Sequence, residues 1–169
     1  MRIYYDTEFT SLEPNTDWDM ISAGFVAEDG QEWYAEITDF PRHECSPFVV
    51  EVVLPLLGGR LDQRMPGAWF APKFCEWLSS FKEDIELVSD HSCDWFLVNG
   101  YCHRDFAALP FKVQSRIWQR SDQEPIQVEL LEAELRYWHR NPGKRHHALY
   151  DARRLKHIAE VQRAALSSR

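Results

Sequence analysis

Three groups of residues in this sequence have the types and spacing for chemistry. The first is Asp6-Thr7-Glu8, directly after the β-prone run Ile3-Tyr4-Tyr5. Residues i and i+2 of a strand face the same way, so both carboxylates project on one side. Two adjacent carboxylates repel, and each raises the other's pKa. A hard divalent cation that prefers oxygen ligands, Mg²⁺ or Mn²⁺, relieves that conflict. Solvated acids at a strand end are the plain alternative. A second such triplet, Asp84-Ile85-Glu86, reads as surface charge ahead of a strand. The second group runs from His146 to Asp151, and no other His in the chain has an Asp five residues on. Five helical steps turn roughly 140° past a full turn, so the two do not share a helical face. They reach one ligand only if His146 lies ahead of the helix and folds back over it, and Gly143 gives the chain that freedom. Taken singly, Asp151 is a first-turn acid favoured by the helix dipole and His146 a loop residue. The third group is Asp90-His91-Ser92-Cys93-Asp94, in which Asp94 opens the apolar run Trp95-Phe96-Leu97 and equally suits a helix N-cap.

The elements that must position these groups are legible in outline. Ile3-Tyr4-Tyr5, Ile21 to Ala27 and Trp33 to Ile37 read as strands, the last two joined by Asp29-Gly30, a strong hairpin signal. Ser46-Pro47 is a cap and first-turn proline that open a short helix through Leu54. Gly58-Gly59 and Pro66-Gly67 mark an irregular loop. A helix follows from Pro72, with Phe74, Trp77, Leu78 and Phe81 at helical spacing. Ile85 to Val88 reads as a fourth strand, Ile126 to Leu130 as a fifth, and Glu132 to His139 as a helix. Residues 103–125 give no clear pattern. Asn141-Pro142-Gly143 is a breaker, and a last helix spans His147 to Leu166 with Ala148, Ala152, Leu155, Ala159 and Gln162 along one stripe. The expected fold class is α/β, a single domain over residues 1–169 with a five-stranded mixed sheet whose three N-terminal strands are antiparallel. Trp69, Trp77, Trp95, Trp118 and Trp138 are expected mostly in the core.

The 169 residues carry a formal charge of −8, which argues against a simple nucleic-acid-coating protein. The charge is uneven. Residues 1–111 hold 7 basic and 20 acidic side chains, a net of −13; residues 112–169 hold 12 and 7, a net of +5. Such asymmetry points weakly to a polyanionic partner. No apolar run approaches the ~20 residues of a membrane span, and the N-terminus lacks an export signal. The four cysteines form no CxxC pair, so they read as reduced thiols of a cytoplasmic protein that engages no membrane.

Taken together and in order, these groups resemble the DEDDh 3′–5′ exonucleases, among them ribonuclease T, oligoribonuclease and polymerase proofreading subunits. Asp6-Thr7-Glu8 matches the family's D-x-E, Asp94 its aspartate at a helix start, and His146 with Asp151 its H-x4-D. Cys93 stands where an aromatic is usual, and Asp90 where many members carry Asn. The opening Tyr5-Asp6-Thr7-Glu8-Phe9, the Ile21 to Gly30 stretch, Ser46-Pro47-Phe48-Val49 and Val53-Leu54-Pro55 look like a small stand-alone exoribonuclease branch of the mycobacterial type.

The resemblance implies an RNase H-like fold and a metal-dependent enzyme that removes nucleotides from the 3′ end of single-stranded or short RNA, releasing nucleoside monophosphates. In such a mechanism two cations about 3.5–4 Å apart clamp the attacking and leaving oxygens. Asp6, Glu8, Asp94 and Asp151 would hold two Mg²⁺ or Mn²⁺ ions, and His146, with an unperturbed pKa of about 6.5, would be the general base. His147 is its rival, with the wrong spacing to Asp151. Backbone groups of Thr7 and Phe9 would hold the terminal sugar, and the Phe9 ring would stack on the base or pack in the core. Lys144 and Arg145 would meet upstream phosphates, whereas Arg153, Arg154 and Lys156 read better as a solvated helix face. Relatives suggest a homodimer. Other readings are a DNA-directed 3′–5′ exonuclease, a non-catalytic nucleic-acid-binding module of the same fold, and an unrelated acidic α/β interaction domain.

Overall fold

The computed structural model describes residues 1–11 and 18–168. Its centre is strand β1 (Arg2–Phe9), in which Ile3, Tyr5 and Thr7 point to one face of the sheet and Tyr4, Asp6 and Glu8 to the other. β1 pairs antiparallel with β2 (Met20–Ala27), and β2 antiparallel with β3 (Glu32–Ile37). Asp29-Gly30 makes the connection as expected: Gly30 adopts φ +95°, the Ala27 N–H donates to the Gln31 carbonyl at 2.8 Å, and Asp29 Oδ1 accepts from the Gln31 N–H at 2.9 Å. Every residue of β2 is buried, which is why the segment reads as an uninterrupted apolar run rather than an alternating one.

The sheet has six strands rather than five, in the order β4-β3-β2-β1-β5-β6. β4 (Arg64–Met65) adds two residues parallel to β3, and β5 (Ile85–Ser89) lies parallel to β1. β6 (Val113–Ile117) continues parallel to β5 and falls in the stretch that gave no pattern. It is an edge strand whose residues are almost all exposed, so no apolar alternation marks it.

Two helices cover each face. α1 (Phe70–Leu78) and α2 (Ser92–Ala107) pack on Ile3, Tyr5 and Phe25 in an aromatic-rich core where the Phe25 and Phe74 rings lie 4.2 Å apart. On the other face α3 (Glu124–Arg140) and α4 (Ala148–Ser167) enclose Tyr4, Val88, Ile126, Leu130, Leu155 and Ile158. Residues 126–130 are therefore helical, not a fifth strand. Pro125 sits at the first turn of α3, and Ile126, Leu130 and Ala133 are its buried positions, at steps of four and three. A third cluster seats Ile21 under Val49, Val53 and Leu54 of a helical segment that follows Ser46-Pro47. Trp69 departs from the expected core and is mostly exposed. All four cysteines are free thiols. No described helix is long and apolar enough to cross a membrane.

One close approach sets where α4 begins. Gly24, opposite Asp6 in the β1–β2 register, touches the backbone of Ala148 and Leu149, and a Cβ there would overlap it. Gly24→Ala is expected to push the first turn of α4 off the sheet, at a cost of about 1–3 kcal/mol. Urea denaturation reads that loss.

Candidate active site

Four elements deliver carboxylates to one place. β1 supplies Asp6 and Glu8, the end of β5 supplies Asp90, the first turn of α2 supplies Asp94, and the first turn of α4 supplies Asp151. They form two groups of oxygens, Asp6 with Asp90 and Asp94, and Asp6 with Glu8 and Asp151. Within each group the oxygens lie within 4.8 Å of one another. Asp6 belongs to both. Burial is the leading cause of a raised pKa at every one of the four expected positions, and the neighbouring carboxylates add to it. Asp6 is pushed well above the carboxylate range, Glu8 to about 8, Asp94 to about 7 and Asp151 to about 6. Burial and mutual repulsion of this kind are what a hard divalent cation relieves, and these carboxylates could hold one.

Asp94 is not the N-cap of α2. That position is His91, whose Nδ1 accepts from the Cys93 N–H at 3.3 Å. Asp94 is 2% exposed, and its Oδ1 accepts from both the Thr7 N–H (3.1 Å) and the Thr7 hydroxyl (2.7 Å). Its Oδ2 is buried with no hydrogen-bond partner among the described residues. A buried carboxylate oxygen left bare is costly unless a cation or donor meets it. Thr7 thus directs its N–H and hydroxyl to Asp94, and Phe9 packs at the edge of the core with its ring 5.9 Å from Trp18.

His146 stands ahead of α4 as the spacing required. It adopts φ +65°, following Gly143 at φ +68°, and its N–H donates to Asp151 Oδ2 at 2.8 Å. The residue is exposed but its imidazole only partly so, and the ring meets that of Phe48 edge-on at 5.0 Å. Burial and the Arg145 charge lower its pKa. His147 goes elsewhere: its ring stacks on Tyr34 at 4.8 Å on the β3 side, and burial lowers its pKa too. Lys144 lies over the Tyr150 ring at 5.4 Å and Arg145 over the Trp138 ring at 5.2 Å.

The basic residues of α4 are not a solvated face. Arg153 makes a two-pronged pair with Glu32 of β3 (2.7 and 2.6 Å), and Lys156 Nζ donates to the Ala27 carbonyl at 2.8 Å. Arg154, its side chain 14% exposed, pairs with Asp90 at 2.6 Å and Glu134 at 3.0 Å, and its Nε lies 4.0 Å from Asp151. It holds Asp90 at the edge of the carboxylate cluster and ties α3 to α4. Arg154→Met would leave Asp90 without its cation beside the other carboxylates, while Glu134 keeps Arg120, and is expected to cost about 3 kcal/mol in urea denaturation. A loss within 0.5 kcal/mol would contradict that bracing role.

Asp90, noted in the sequence beside Asp94, is not expected among the clustered acids, and the structure puts it there. The signal that was available is its position one residue past β5, the parallel neighbour of β1.

No family model matches the chain. In each of two strains of Mycobacterium tuberculosis, CDC 1551 / Oshkosh and ATCC 25618 / H37Rv, a curated protein named 3′-5′ exoribonuclease is 46% identical to it over 57 residues, 34% of this chain and 33% of the relative. The match thus spans about a third of the length of those relatives.

Proposed function

We propose that this chain is a metal-dependent 3′–5′ exoribonuclease of the DEDDh type, with an RNase H-like fold, acting on single-stranded or short RNA. The observation that carries the reading is Asp6 standing in two carboxylate groups at once. Two-cation phosphodiester hydrolysis needs such a shared ligand between neighbouring sites. The partial similarity to proteins named exoribonucleases favours RNA over DNA.

Asp6, Glu8, Asp94 and Asp151 would hold two Mg²⁺ or Mn²⁺ ions, with Asp90 in the same oxygen group as Asp6 and Asp94. Bound divalent cations supply charge neutralisation at the scissile phosphate and a more acidic attacking water. The chain's own residues do the rest. His146 takes the proton of the attacking water; Thr7 fixes Asp94; Asp151 is oriented by the His146 N–H. Phe9 and the backbone at Thr7 and Phe9 would meet the terminal nucleotide, and Lys144 and Arg145 the phosphates upstream. A homodimer would use α3, where Val128, Leu131 and Leu135 form an exposed stripe; light scattering of wild type and Leu131→Asp tests it.

The activity test incubates the protein with end-labelled single-stranded RNA and DNA in Mg²⁺, Mn²⁺ or EDTA. Mononucleotide release from RNA that EDTA abolishes and Asp6→Asn lacks is the expected result. Release from DNA alone would make it a deoxyribonuclease. Tight RNA binding with no release in any metal would make it a binding module. Release that persists in Asp6→Asn would come from a contaminant.

A further inference from the structure

We propose that a cavity at the far end of α4 from the carboxylates binds a nucleoside phosphate. The cavity has a volume of about 430 Å³, in the range of small-molecule sites. Its floor is the sheet: Arg2 lies beside Glu86 and Tyr4 beside Val88 across β1 and β5, and Val88 lies beside Arg116 across β5 and β6. The last turns of α4 form a wall with Arg163, and Trp118 stands at the rim just beyond β6. Twelve residues of α4 separate Asp151 from Arg163, about 18 Å at 1.5 Å per residue. Tyr4 and Val88 of the floor lie two residues before Asp6 and Asp90, but none of the clustered carboxylates lines the cavity.

The charge of the lining decides the class of ligand. Three arginines face the cavity against one carboxylate, in a protein that is acidic as a whole. That carboxylate, Glu86, is shared, 3.0 Å from Arg2 and 3.6 Å from Arg116. Arg163 has no carboxylate within 4.0 Å among the described residues. Its guanidinium donates to the neutral Tyr4 hydroxyl at 2.6 Å, while Glu160, one turn earlier, pairs with Lys156. A guanidinium held in place by a phenol, with no carboxylate partner among the described residues and a second arginine across the cavity, fits a phosphate through charge-assisted hydrogen bonds. Trp118, partly buried against the α3–α4 core, also lines the cavity and is the aromatic side chain on which a base would stack.

The rim is fixed before any ligand arrives. Gln162 of α4 accepts from the Ser121 N–H at 2.7 Å and donates to the Gln119 carbonyl at 2.9 Å, and the Trp118 N–H donates to the Ser89 carbonyl at 2.7 Å. A preformed cavity binds without the ordering penalty that a mobile loop would exact.

The site stands independently of the exonuclease reading, and its test omits metal. In EDTA, AMP, inorganic phosphate and a 5′-hydroxyl RNA pentamer are titrated by calorimetry into wild type, Arg116→Gln, Arg163→Gln and Asp6→Asn. AMP is expected to bind wild type and Asp6→Asn alike and to weaken at least tenfold in either arginine variant, with the Trp118 indole resonance shifting on binding. Arg116 is 62% exposed in its side chain, so its replacement leaves the fold intact. The pentamer separates the two sources of the ligand. Tighter binding than AMP, lost in the same variants, assigns the site to a strand; weaker binding assigns it to a free nucleotide. AMP binding that survives both arginine variants, or that disappears in Asp6→Asn, overturns the proposal. Inorganic phosphate binding as tightly as AMP overturns the nucleoside part of it.

Discussion

Asp6→Asn is expected to abolish the proposed Mn²⁺-dependent RNA trimming and to make the metal-free protein more stable. The loss of turnover should be on the order of 10⁴-fold, the scale seen when one member of a catalytic unit is removed, because Asp6 contributes to both carboxylate groups. The gain in stability follows from the sign of the pKa shifts. Each carboxyl has a folded pKa above its unfolded value, so the folded chain holds protons that the unfolded chain releases. Stability of the metal-free protein therefore declines as pH rises from about 4, through about 6 for Asp151, 7 for Asp94 and 8 for Glu8, with Asp6, pushed well above the carboxylate range, adding to the decline. Removing the acid at the centre of the cluster relieves burial and repulsion together. The melting temperature of Asp6→Asn in EDTA should exceed that of wild type by several degrees at pH 8 and by less at pH 5.

Added Mn²⁺ reverses the order. It stabilises wild type by mass action, increasingly so from pH 6 to 8 as the ligands lose their protons, and leaves Asp6→Asn behind. A variant that melts lower than wild type at pH 8 without metal would show that the Asp6 carboxylate is a structural partner, and the cation reading would fail with it.

Much of this site was legible in the sequence because it depends on local spacing. Asp6 and Glu8 share a face by strand alternation, and His146 must precede its helix because five residues do not close on one helical face. Asp90 and Arg154 were not legible for the opposite reason. They are 64 residues apart, and neither is unusual until the β1–β5 pairing brings Asp90 to the carboxylates and α4 brings Arg154 to Asp90. The same divide runs through the fold. The Asp29-Gly30 hairpin announces itself in two residues, whereas β6 is an exposed edge with no alternation. Ile126 to Leu130 is too short a window for apolar content to separate strand from helix until Ala133 extends the period.

The imidazole of His146 is expected to supply turnover rather than binding, and the choice of variant decides whether the experiment can show it. His146 holds φ +65°, a conformation that asparagine tolerates and alanine resists, and its N–H holds Asp151 at 2.8 Å. His146→Ala would therefore disturb a carboxylate as well as remove a base. His146→Asn removes the base alone. Its kcat should fall by about 10²–10⁴, the usual contribution of general-base catalysis, with KM changed little. The assay belongs at saturating Mn²⁺, where the carboxyls that titrate between about 6 and 8 are held ionised. The remaining acidic limb of the pH profile then belongs to His146, and it should lie below the ordinary histidine value because burial and Arg145 lower its pKa. That limb should vanish in His146→Asn. His147→Phe keeps an aromatic ring against Tyr34 and should retain turnover within a few-fold. The converse pattern, an active His146→Asn and a dead His147→Phe, would move the base one residue along, to a ring that faces β3 rather than Phe48.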